Sequence, residues 1–315
     1  MPIDAQHGPM LDFAIVGQPK SGTTALAHFL AQHPQIAFSV PKESAFFATD
    51  FHRESDAFHG KQVYFSYRSA ADFAGLFTHA APGQLLGEGS TSSLYSTEAA
   101  ANLHDHNPRL KCIMLFRDPV DMVQSLHQQY VNETAEDLDD FASAIAAEEE
   151  RAAGNRLPRR VRTPAYVQYS KRARYTEQLA RFEKLFPADQ LLVLLADEFH
   201  DDNEGHYLRV LRFLGVDESF RPEFTTVHGS QAPRSSTLNR ALNRPGVKRR
   251  LQALLGPRRY TALRDRLARL ALKPQPRDSV DAGLVAELRD RYRPHVVEFG
   301  EHIGRDLIAQ WGYGD

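Results

Sequence analysis

The stretch FAIVGQPKSGTTALAHFL, Phe13 to Leu30, constrains the fold more than any other part of the chain. An apolar run ends at Gly17, a turn carries Pro19, Lys20 and Gly22, and apolar residues at helical spacing begin near Thr23. A buried strand that passes through a tight turn into a helix is the opening half of a parallel crossover. Short apolar runs bounded by turn residues return throughout, predicting strands at Asp12–Gly17, Ile36–Ser39, Leu85–Glu88, Lys111–Phe116 and Leu191–Leu195. Between them, helix-period segments cover Thr23–Gln32, Thr97–His106, Val120–Val131, Leu138–Ala153, Tyr166–Phe186 and Gly205–Leu214. This alternation predicts an α/β fold, a parallel sheet flanked by helices. After Arg221 the pattern becomes short helical pieces at 234–243, 247–255, 258–272 and 284–304. We expect a helical C-terminal part, 221–315, packed on the sheet within a single domain 1–315, with residues 1–10 as a flexible tail.

The 315 residues suit one large α/β domain, and a single cysteine, Cys112, excludes a disulfide framework or a thiolate metal site. Net charge is −2, so no global field selects nucleic acid. No apolar run reaches the ~18 residues of a membrane span, and the N-terminus lacks a signal pattern, predicting a cytoplasmic protein. Charge is unevenly placed. Glu133 to Glu150 holds eight acids and no base, Arg156 to Arg174 seven bases and no acid, and Arg244 to Arg277 eleven bases against Asp265. Such blocks are either solvated helix faces or, for a basic one, an entrance for an anionic ligand or a peripheral contact with anionic lipid.

In the turn Gly17 to Thr24, Gly22 lets main-chain N–H groups turn inward, and the following helix presents unpaired donors and its positive dipole end to an anion. Ser21, Thr23 and Thr24 add hydroxyls, and Lys20 adds a point charge. The competing reading is an ordinary strand-to-helix turn. The nucleotide-hydrolase pattern puts Lys directly after the second glycine, with Ser or Thr next for magnesium. Here Thr23 follows Gly22 and the lysine precedes it. This predicts phosphate binding without metal-assisted nucleotide hydrolysis.

A second candidate is KCIMLFRDPVDMVQS, Lys111 to Ser125. Arg117 stands at the C-terminal end of a buried strand, where open α/β sheets bind ligands, and Pro119 opens the next helix. An arginine fork there suits a second phosphate. Pairing of Arg117 with Asp121 is the alternative.

Pro-Lys-Ser-Gly-Thr-Thr followed by Phe-Arg-Asp-Pro, with Ser125 eight residues after Arg117, resembles the sulfotransferases that use 3′-phosphoadenosine 5′-phosphosulfate (PAPS). The likeness extends through Pro41-Lys-Glu-Ser-Ala-Phe-Phe47, Leu86-Gly-Glu-Gly-Ser90, Tyr175-Thr-Glu-Gln-Leu179, Phe213-Leu-Gly215 and Ala232-Pro-Arg-Ser235, closest to the carbohydrate and bacterial branch. The resemblance implies a P-loop-like fold in which Lys20, Ser21, Gly22, Thr23 and Thr24 grip the 5′-phosphosulfate. Lys20 would stabilise charge on the bridging oxygen, and Arg117 and Ser125 would hold the 3′-phosphate. It further implies Glu43 as general base, with Glu88 as runner-up, and Arg234 as a second 3′-phosphate contact. Glu43 as a carboxylate at its own helix N-terminus, and Ser235 or Ser236 as a helix cap, are the competing structural readings.

The implied reaction is metal-independent sulfuryl transfer to a hydroxyl or amine of a small-molecule, saccharide or lipid acceptor, leaving adenosine 3′,5′-bisphosphate (PAP). Ala45 and Gly89 stand where carbohydrate-type relatives often carry His and Lys, which counts against a sulfated glycosaminoglycan acceptor. The rivals are a P-loop small-molecule kinase and a non-catalytic nucleotide-binding module. His104-Asp-His106 lacks a third metal ligand and reads as an exposed helix end.

Overall fold

The computed structural model of the chain describes residues 3–4, 8–224, 232–233, 272–273 and 281–314. Its sheet has five strands, β1 (Phe13–Gly17), β2 (Ile36–Phe38), β3 (Leu85–Glu88), β4 (Lys111–Phe116) and β5 (Leu191–Leu195). Every pairing is parallel, in the order β2-β3-β1-β4-β5. The helices are α1 (Thr23–Leu30), α2 (Thr49–His59), α3 (Ala70–Gly75), α4 (Ala99–His106), α5 (Pro119–Asn132), α6 (Phe141–Ala146) and α7 (Glu148–Ala152). Further along come α8 (Tyr169–Arg172), α9 (Tyr175–Glu183), α10 (Ala196–Asp201), α11 (Asn203–Leu214), α12 (Ala282–Ile303) and α13 (Leu307–Trp311).

Side-chain alternation along β1 divides the core in two. Phe13 and Ile15 pack with Leu26 and Phe29 of α1 and Val210 of α11. Ala14 and Val16 face the opposite cluster, which includes Leu126 of α5, Leu179 of α9 and Phe299 of α12. Both faces of the sheet are therefore covered, as a parallel sheet requires. The chain leaves β1 for β2 and β3 on one side and returns to β4 on the other. The C-terminal ends of β1 and β4 thus meet at the topological switch point, where such sheets bind ligands.

Three differences from the sequence reading have local causes. The helix expected over 138–153 is broken at Ala147, which ends α6 and begins α7. The one expected over 166–186 becomes a 3-10 turn at Pro164–Val167, then α8 and α9, with non-helical ψ angles of 70° at Gln168 and 69° at Arg174. Helices α2 and α3 were not expected. Of α2 only Phe51, His52 and Ser55 are buried, and α3 is a single short piece started by a Ser69–Asp72 capping box. Where a flexible tail was expected, Ile3–Asp4 pairs antiparallel with Gly8–Pro9. In the C-terminal part α12 packs on α5 and α9, and Ala232–Pro233 pairs with Leu272–Lys273. The helices expected at 234–243, 247–255 and 258–272, and nearly all of the basic block 244–277, lie outside the described residues.

The acidic and basic blocks partly neutralise one another. Glu133 meets Arg162 at 3.5 Å and Glu150 meets Arg156 at 3.1 Å. Deeper, Arg151 of α7 donates two hydrogen bonds, 2.8 and 2.7 Å, to Glu136, and the Tyr169 hydroxyl donates a third at 2.9 Å. Both charged side chains are fully buried.

Candidate active site

Gly22 caps α1 with φ +87°, and no side chain bonds to that helix end. The first-turn N–H groups are left to an anion or solvent. A Cβ at Gly22 would approach the Phe199 ring to 3.1 Å, so both the left-handed φ and the packing select glycine. Thr24 is exposed and Thr23 buried. Ser21 is buried and its hydroxyl donates to the Pro19 carbonyl at 3.3 Å, so only its main chain is offered to a ligand. Lys20 has φ +62°, a left-handed conformation costing about 1–2 kcal/mol in a non-glycine residue. Burial, followed by the Arg117 charge, pushes its ammonium below the ordinary lysine pKa, while Glu133 and Glu43 act in the opposite direction.

Arg117 closes this rim from β4. Its Nη1 donates to the Lys20 carbonyl at 3.2 Å and its Nη2 to Asp121 Oδ2 at 2.6 Å. The Asp121 pairing weighed from sequence is therefore real, and it coexists with the rim position. The Tyr175 hydroxyl donates to the Arg117 carbonyl at 2.9 Å, tying α9 to the strand end. Ser125 is half-buried and lies one turn beyond Asp121 on α5, on the same helix face. Asp118 caps α5 by accepting the Asp121 N–H at 3.0 Å.

Glu43 lies in the loop between β2 and α2. It does not cap a helix: Oε1 accepts from Lys42 Nζ at 3.0 Å and Oε2 from Thr91 Oγ1 at 3.3 Å. Its side chain retains 48% of its exposure. Lys42 Nζ also reaches Thr23 Oγ1 at 3.3 Å, linking this loop to α1. Glu88 is different. It is sealed, with Oε2 accepting from Ser90 Oγ at 2.8 Å and Oε1 without a protein partner. Burial pushes its carboxyl up to about 7, the Ser90 hydrogen bonds opposing and the Glu43 charge adding. Ser90 in turn accepts the Ala45 N–H at 2.8 Å, so Glu88 buttresses the loop that carries Glu43.

Lys20, Thr23, Glu43 and Arg117 thus gather at one edge of the sheet, with Ser125 farther along α5. Lys42, Glu133 and Arg162 join the neighbourhood without having been singled out from the sequence, and Thr91, which stands where relatives frequently carry Pro, joins it too. Adjacency to Glu43 was the available signal for Lys42, and the paired charge blocks were the signal for Glu133 and Arg162. Arg234, Ser235 and Ser236 lie outside the described residues. His106 corrects the expected exposed helix end. It is buried against Phe47, and its Nε2 accepts the Leu11 N–H at 3.0 Å, because α4 packs its last turn into the core.

The uncapped helix end, the lysine and the arginine fork fit a ligand with two separated anionic groups. Residues 12–220 match a family model described as "Sulfotransferase family". The chain is 26% identical over 210 residues to bifunctional heparan sulfate N-deacetylase/N-sulfotransferase 2 of Bos taurus, covering 65% of this chain and 22% of that protein. It is 27% identical over 261 residues to heparan sulfate glucosamine 3-O-sulfotransferase 6 of Mus musculus, covering 77% of this chain and 68% of that one. A crystal structure of a sulfotransferase from Alicyclobacillus acidocaldarius superposes with a TM-score of 0.65 at 23% identity, covering 96% of this chain and 98% of that one, a likeness of fold.

Proposed function

The chain belongs to the sulfotransferase family, and we propose that it transfers a sulfuryl group from PAPS to an acceptor hydroxyl, or an amine, without a metal. The observation that carries this reading is the shared rim. Arg117 lies 3.2 Å from the Lys20 carbonyl beside the uncapped start of α1, and Lys42 ties Glu43 to the same helix. The donor supplies an activated sulfuryl group on a phosphate leaving group. The main chain of Ser21 to Thr24 holds the 5′ end, and Arg117 with Ser125 holds the 3′-phosphate. Glu43 takes the proton from the acceptor O–H as its oxygen bonds to sulfur. Lys20 offsets the charge left on the bridging oxygen as the old sulfur–oxygen bond breaks, and PAP departs. Glu43 is preferred to Glu88 because its carboxylate is open to an incoming acceptor. A saccharide other than a sulfated glycosaminoglycan is the acceptor class we propose, since relatives of this chain are named for heparan sulfate while Ala45 and Gly89 depart from the carbohydrate-type pattern.

The test is a thermal-shift comparison of PAP with ADP plus magnesium, followed by PAP formation from PAPS in EDTA. A shift with PAP alone, and turnover that survives EDTA, supports the reading. Equal shifts from both ligands, or turnover that needs magnesium, would remove it.

A further inference from the structure

Lys42 carries the strongest geometry not yet assigned a role. Its main chain is clamped between two strand ends, the carbonyl accepting from Gly89 N–H at 3.1 Å and from Ser39 Oγ at 3.0 Å. The stem then crosses the face of Gly89. A Cβ there would lie 3.0 Å from both Cγ and Cε of Lys42 and 3.1 Å from the Phe38 ring. The absent side chain at Gly89 is therefore the passage through which the lysine runs. At its end the ammonium, on a side chain 19% exposed, donates to Glu43 Oε1 at 3.0 Å and to Thr23 Oγ1 at 3.3 Å. The clamp on the Lys42 carbonyl and the space left at Gly89 together set the direction of this side chain.

We propose that Lys42 is a positioning residue for the transfer reaction: its ammonium fixes the place of the Glu43 carboxylate and anchors it beside Thr23, the first residue of the donor-binding helix. The inference rests on the transferase reading above. With Lys42 Nζ on one oxygen and Thr91 Oγ1 on the other, two donors fix where that carboxylate points. Other charged or titratable groups facing Glu43 come from different segments: Lys20 after β1, Glu88 at the end of β3, Arg162 ahead of α8, and Tyr166 in the 3-10 turn. Among the described residues, Lys42 makes the ion-pair contact with Glu43, so its removal leaves the more distant charges to act alone.

The experiment compares wild type, Lys42→Met, Lys42→Arg and Gly89→Ala. PAP formation from PAPS is measured as kcat and KM, with water and a panel of saccharides as acceptors, and PAP affinity is measured by calorimetry. For Lys42→Met we expect PAP affinity within about threefold of wild type, and turnover at neutral pH lower by at least roughly thirtyfold. The loss should fall on kcat, with the KM for PAPS within about threefold of wild type. Lys42→Arg should recover most of the turnover. Gly89→Ala should reproduce the loss in smaller measure by displacing the stem, with PAP binding intact. Lys42→Met turnover within threefold of wild type, or a loss with PAP affinity falling in parallel and no recovery in Lys42→Arg, overturns the proposal while the transferase reading stands. A wild-type chain that binds PAP yet forms none from PAPS overturns both.

Discussion

Arg117 Nη1 donates to the Lys20 carbonyl across 3.2 Å, joining residues 97 positions apart in the chain. The same guanidinium is held by Asp121 at 2.6 Å, so on the proposed reading the 3′-phosphate must share or displace a carboxylate. Arg117→Ala should weaken PAP binding by ~1.5–3 kcal/mol, about 10- to 100-fold, the range for a charged hydrogen bond. Asp121→Asn should tighten it several-fold by relieving the competition, read by calorimetric titration. Weaker binding in the asparagine variant would instead make Asp121 the residue that orients the fork.

Replacing Glu43 by Gln keeps the side chain's shape and its contact with Thr91 but removes the proton acceptor. PAP affinity should be nearly unchanged while turnover falls by roughly 10²- to 10⁴-fold, the usual contribution of a general base. Turnover close to wild type would place the base elsewhere.

Glu88 supplies a stability test. Burial raises its carboxyl from 4.5 to about 7, so the folded state binds the proton more tightly than the unfolded state. Its contribution is fully present below pH 4.5 and is lost as the pH rises through 7. Between those limits the loss is roughly 3 kcal/mol. Glu88→Gln should match wild type at pH 4.5 and exceed it by about that amount at pH 8, measured by denaturant unfolding. Equal stability at both pH values would show that the carboxylate is solvated.

The buried Glu136–Arg151 pair should be intolerant of single removal. Arg151→Met would strand a carboxylate with no exposed surface, costing about 3–5 kcal/mol. The double variant Glu136→Gln with Arg151→Met should recover a large part of that loss, and a double-variant cycle of unfolding free energies checks it.

The strands were legible because a parallel sheet covered on both faces needs uninterrupted apolar runs, as in Lys111–Phe116 and Leu191–Leu195. The turn between β1 and α1 was legible because its geometry is local, with Gly22 at φ +87° opening the helix. Helix ends inside 138–186 were not, since breaks at Ala147, Gln168 and Arg174 occur without proline or glycine at those positions. The Lys42 contact was beyond reach for another reason. It depends on Gly89 and Ser39 meeting across two strand ends, a relation that no local pattern encodes. The difference in exposure between Glu43, half-exposed, and Glu88, fully buried, was not legible either.

Lys20, Glu43, Thr91 and Arg117 each follow a different strand, β1, β2, β3 and β4 in turn. On the proposed reading, no chain can clasp nucleotide until the three crossovers from β1 to β4 have closed and β4 has docked beside β1. Such non-local pairing is slow to form. Retention of PAP during refolding should therefore be among the last native properties regained, and a shortened chain lacking β4 would pass through a nucleotide column unbound.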